Sequence, residues 1–101
     1  MMIETIFTFT KGNDKQIEKI REDEKTGIGH FILPPAEAAP EHDANSTVYI
    51  IVVRGIITLQ LDDQEAHTYP AGNIIEIPRQ TKMNIKNAGD ETLEAFALRV
   101  F

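Results

Sequence analysis

Three histidines carry most of the chemistry this chain could do. His42 stands in Pro40-Glu41-His42-Asp43-Ala44-Asn45-Ser46-Thr47, directly ahead of the apolar run Val48 to Val53. An imidazole at the entry to a strand can ligate a metal, act as a general acid or base, or orient a small molecule. Glu41 and Asp43 flank it and, by strand parity, are expected to face away from it into solvent. His30, in Gly27-Ile28-Gly29-His30-Phe31-Ile32-Leu33, is expected as a surface or half-buried strand histidine. His67 belongs to a hairpin and is expected to hold no ligand.

Other patterns carry less. Ser46 is the only serine and lacks a G-x-S-x-G setting, so no nucleophile elbow is indicated. Asp62-Asp63-Gln64-Glu65 reads as a solvated acidic turn. With no cysteine in the chain, disulfides, thiolate metal sites and a cysteine nucleophile are excluded, which fits a reducing compartment. Neither a glycine-rich phosphate loop nor a dinucleotide fingerprint is present.

The elements that must position these groups are strands. The 101 residues suffice for one domain with one core, expected over residues 1–101, with an N-terminal strand segment over 1–26 and the barrel core over 27–101. A formal net charge of −6 argues against nucleic acid, whose phosphates call for a basic stripe. The N-terminus lacks the basic and apolar regions of a signal peptide, and Val48 to Val53 is too short to cross a bilayer, so a soluble, cytoplasmic protein with no membrane partner is expected.

Alternation and β-branched residues predict a strand through Thr10 and another in Ile28 to Leu33, stopped by Pro34-Pro35. Between them, Lys15 to Gly27 is open: Asn13 with Gln16 could cap a helix carrying Ile17 and Ile20, but two apolar residues make a thin face, and an exposed strand followed by a charged turn is preferred. Six more runs follow quickly, each closed by a turn signal such as Arg54-Gly55, Asp62-Asp63, Pro70-Ala71-Gly72 or Ala88-Gly89-Asp90. Short strands so punctuated predict an all-β antiparallel sandwich or barrel. Both faces of Val48 to Val53 are apolar, so something must cover the second one. The candidates are another subunit, in a symmetric homodimer, and the chain's own N-terminal strand; the subunit is the preferred expectation.

From about Leu33 to Asn87 the strand order, glycines and prolines resemble the cupin family of small jelly-roll barrels, the double-stranded β-helix. Its motif G-x5-H-x-H-x3-4-E-x6-G falls here on Ala36, His42, Ala44, Val48 and Gly55; its second, G-x5-P-x-G-x2-H-x3-N, falls on Gly72, Pro78, Gln80, Met83 and Asn87. Gly55, Gly72, Pro78 and Asn87 agree at turn and strand-end positions. The departures fall on chemistry: the resemblance implies a metal held by three histidines and a carboxylate, and only His42 remains. Ala44 and Val48 offer no lone pair, and the thioether of Met83 suits copper(I) rather than harder divalent ions. No metal and no other cofactor is therefore expected.

If the alignment holds, Val48, Ile50, Val52, Met83 and Ile85 lie on the barrel's inner face beside His42, with Ala44 and Asn87 completing a ligand pocket. An apolar concavity with one or two convergent polar groups suits a small organic ligand. Three readings stay open: a metal-free binding or accessory module; an isomerase- or lyase-like enzyme using His42 as acid or base; and an assembly protein with a filled interior.

Overall fold

The computed structural model describes residues 2–43 and 45–101, with His42 and Asp43 described by their backbone alone. Nine strands follow in order: β1 (Gln16–Glu22), β2 (Thr26–Leu33), β3 (His42–Asp43), β4 (Thr47–Arg54), β5 (Ile56–Leu61), β6 (His67–Pro70), β7 (Ile74–Ile77), β8 (Lys82–Lys86) and β9 (Leu93–Val100). They form a five-stranded sheet, β1-β2-β9-β4-β7, facing a four-stranded sheet, β3-β8-β5-β6. Every pairing is antiparallel. Among the described residues no helix is long and apolar enough to cross a membrane.

The sequence alternates, so each strand sends every second side chain between the sheets. Phe31 and Leu33 of β2, Val48, Ile50 and Val52 of β4, Ile77 of β7, and Leu93 and Ala95 of β9 meet Ile57 and Leu59 of β5 and Met83 and Ile85 of β8 in one core. Register fixes this sharing of a face: Ile50 pairs with Ala97 on one side and Ile75 on the other. A slip of one residue in β4 would bring Tyr49 and Ile51 inward and turn Val48 and Ile50 out.

All four glycine positions of the motifs lie in the left-handed region, whichever residue occupies them. Gly55 has φ +79°, and a Cβ there would collide with the carbonyl of Thr92; Gly72 has φ +95°. At the two turn positions where this chain departs from the family's glycine, the backbone keeps the glycine conformation. Ala36 has φ +73° and Gln80 has φ +68°. Both residues bear a Cβ in the left-handed region, which is unfavourable for L-residues.

One expectation needs correction. Ile3 to Thr10 is not a strand; among the described residues it joins no sheet ladder. Side chains dock it instead. The Phe7 ring lies 5.3 Å from the Arg21 guanidinium, and Phe9 packs at 4.9 Å on both His30 and Phe96. Thr10 donates its N–H and its hydroxyl to the Glu18 carboxylate at 2.8 and 2.9 Å. Alternation here marks side chains laid on and off the outer face of the larger sheet, a pattern that one sequence cannot tell from a ladder.

The second face of β4 therefore has a partial cover within the chain. Arg54 reaches the N-terminal segment, donating to the Asn13 amide oxygen at 2.7 Å and to the Gly12 carbonyl.

Ala36→Gly and Gln80→Gly should each raise the unfolding free energy by about 0.5–1 kcal/mol, because relief of left-handed strain outweighs glycine's extra chain entropy. Gly55→Ala should lower it by about 2 kcal/mol or more. Urea midpoints of the three variants against the parent measure this; a loss at Gln80→Gly would contradict it.

Candidate ligand cavity and the buried histidine

Between the sheets lies a cavity of about 360 Å³. Phe31 of β2, Val48 and Ile50 of β4, Met83 and Ile85 of β8 and Ala97 of β9 supply its apolar wall, and Ala39 and Pro40 border it ahead of β3. Lys19 of β1 and Arg99 of β9 line it as well. These two cations share a face with the wall by register: Arg99 pairs with Val48 and Gly27, and Lys19 pairs with Gly29.

Among the pocket residues expected from the sequence, Val48, Ile50, Met83 and Ile85 converge on this cavity. Asn87 is set apart from it. Its buried amide donates to the carbonyls of Leu33 at 2.8 Å and Glu91 at 2.7 Å, and its oxygen accepts the Gly89 N–H at 3.0 Å. That side chain splices the end of β8 to the end of β2 and has no donor left for a ligand. His42 pairs through its backbone with Met83 across β3 and β8; its side chain, that of Asp43, and Ala44 lie outside the described residues. His67 is half exposed, with Nε2 3.8 Å from Glu65.

The family's metal can be tested against the donors present. Val48 and Met83, at two of its ligand positions, are buried in the core and bring no nitrogen or oxygen. Among the described residues no group of three or more His, Cys, Asp or Glu side chains is arranged to hold a metal ion. This donor set does not fit the 3-His/1-carboxylate centre.

His30 is the buried polar group that sequence reasoning misplaced. It was expected on the surface or half-buried, and it is buried on the outer face of the larger sheet. Nδ1 lies 2.7 Å from Glu18 Oε1 and Nε2 2.6 Å from Glu94 Oε2. Phe9 and Phe96 close over the ring, with centroids at 4.9 and 4.7 Å.

Arg54 Nε continues the row by donating to Glu94 Oε1 at 2.7 Å. Glu18, His30, Glu94 and Arg54 thus form one hydrogen-bonded row across four neighbouring strands. The Thr10 N–H, followed by His30 and the Thr10 hydroxyl, holds the Glu18 carboxyl below its ordinary value. Burial pushes Glu94 up, but bonds and charge from His30 and Arg54 outweigh it and hold that carboxyl low too. The signal for this row was unreadable in the sequence, since His30 and Glu94 are 64 residues apart.

With the geometry in place, comparison with known proteins is decisive at the family level. The Cupin domain family matches residues 29–99. The chain belongs to the cupin family. An uncharacterized protein of Methanocaldococcus jannaschii is 39% identical over 99 residues, covering 97% of this chain and 85% of that protein. A crystal structure of an RmlC-like cupin family protein with a double-stranded β-helix fold, from the same organism, superposes with a TM-score of 0.94 at 39% identity, covering 99% of this chain and 93% of that one. A double-stranded β-helix protein from Klebsiella pneumoniae gives 0.78 at 12% identity, over 91% of this chain and 81% of that one, a likeness of fold alone.

The lowered carboxyls set a pH dependence. Their stabilisation is complete above the ordinary value of 4.5 and is lost as pH falls through the lower folded values. Glu94→Gln should cost about 2 kcal/mol at neutral pH and should flatten the acid loss that sets in as pH falls below 4.5. Urea midpoints across that range measure both; parallel curves for parent and variant would refute it.

Proposed function

We propose that this cupin is a metal-free binding module whose barrel cavity holds a small, largely apolar organic molecule, and that it works as a homodimer. The cavity of about 360 Å³ carries the reading: its size lies in the range of small-molecule sites, and its wall comes from Phe31, Val48, Ile50, Met83 and Ile85. A fully packed accessory barrel would not have left this space. The donor set supports a site without metal, since one histidine and a thioether cannot replace three histidines and a carboxylate.

The homodimer is supported by apolar side chains on the N-terminal segment and the neighbouring sheet edge. Ile3 is 99% exposed, and Met2, Ile6 and Ile74 are also well exposed. A second subunit laid on this outer face would remove them from water. The absence of cysteine fits a cytoplasmic setting.

A second reading makes the module an enzyme with His42 as acid or base. Its support is that the backbone of His42 pairs with Met83, a cavity residue. It predicts a pH-dependent activity lost in His42→Ala with folding intact.

Protein purified without chelators should contain only sub-stoichiometric iron, manganese, nickel and zinc by elemental analysis, and it should sediment as a dimer at micromolar concentration. Stoichiometric metal would end the metal-free reading, and a monomeric sedimentation profile would end the homodimer.

A further inference from the structure

Resting on the cavity reading above, we infer that the ligand is a monoanionic organic acid, its apolar body against Phe31, Ile50 and Met83 and its carboxylate on Arg99, with Lys19 beside it. The inward column of β9 reads Leu93, Ala95, Ala97, Arg99: three apolar side chains, then a guanidinium. Placing such a group on the inner face of a barrel costs desolvation unless something there uses it. The Arg99 side chain is 27% exposed. Gly27 makes its position available, because a Cβ on that residue would lie 2.8 Å from Arg99 Nη2.

The partners of Arg99 leave part of its fork open. Glu22 accepts from Nη2, and the Phe101 ring lies 5.4 Å from the guanidinium carbon. Among the described residues, Nε and Nη1 have no hydrogen-bond partner. Lys19 Nζ stands 3.6 Å from the same Glu22 oxygen. Two cations against one carboxylate leave one positive charge at this end of the cavity, in a chain whose net charge is −6. Glu18 and His30 also border the cavity, but their polar atoms are bonded to each other, to Thr10 and to Glu94 on the opposite face of the sheet.

This arrangement selects by chemistry. A planar guanidinium with free donors matches a carboxylate bidentately, and the partly desolvated setting strengthens the pair. A cationic ligand would meet Arg99 and Lys19 with no uncommitted acid among the described residues. A phosphate dianion would find one surplus charge and no helix N-terminus to receive it. A neutral apolar molecule would fill the wall but leave the fork unused. An acid with an apolar body uses both.

The full chain, methyl-labelled, should be titrated by NMR with hexanoate and benzoate and, in parallel, with the neutral amides hexanamide and benzamide. The acids should bind about tenfold or more tightly than the amides, shifting the methyls of Ile50, Ile85 and Met83. Arg99→Gln should abolish that preference. Lys19→Gln, at a side chain 63% exposed and so safe for folding, should reduce it about two- to fourfold. Equal binding of acids and amides to the parent, or a preference that survives Lys19→Gln undiminished, would overturn the inference and leave the cavity as a neutral site. If none of the four compounds moves a cavity methyl, the cavity reading fails and this inference fails with it.

Discussion

The inward faces of β4 and β9 must stay dry, and the rest of the molecule is arranged around that requirement. These strands lie side by side in the larger sheet, and their inward side chains, Val48, Ile50 and Val52 beside Ala95 and Ala97, form the floor on which β5 and β8 sit. Small alanines on β9 against branched residues on β4 leave the interior incompletely filled towards Arg99, and there the cavity opens. Packing and recognition are thus two consequences of one column of side chains. Where the column is bulky the sheets close; where it shrinks to alanine and then turns charged, there is room and a cation to use it.

The outer face of the same sheet solves a different problem. An apolar strand surface without cover would be a liability for association. The chain lays its own N-terminal segment there, held by Phe9 over the His30 ring and by Thr10 on Glu18. The hydrogen-bonded row Glu18, His30, Glu94, Arg54 is the polar counterpart of that apolar contact. Each member is satisfied by its neighbours, so polar groups half or wholly removed from water do not carry an unmet desolvation cost.

Against the cupin motifs, this chain agrees more in backbone than in chemistry. Gly55 and Gly72 remain because only glycine fits their positive φ without strain or collision. Ala36 and Gln80 show that the fold tolerates a Cβ in such a turn at modest cost. Asn87 also persists, and its three hydrogen bonds to Leu33, Glu91 and Gly89 make it structural. The ligand positions follow other rules: Val48 and Met83 now contribute to the core, where their apolar volume is used directly.

Much of the fold was legible in the chain itself. Period-two alternation and turn residues at Gly55, Asp62-Asp63 and Gly72 located β2 and β4 to β9, left β1 open between strand and helix and read the β3 stretch only as extended chain, while alignment to the cupin motifs put Val48, Ile50, Met83 and Ile85 inside. Those are local properties, decided by neighbours within a few residues. The N-terminal stretch misled because alternation reports which side chains touch a surface, and a docked segment and a laddered strand share that pattern. Only the tertiary structure decided that His30 lies buried between two carboxylates, that Asn87 is a splice, and that Arg99 and Lys19 face the same cavity. Each of those depends on which strands become neighbours in the sheet, a long-range pairing that no residue's immediate surroundings record.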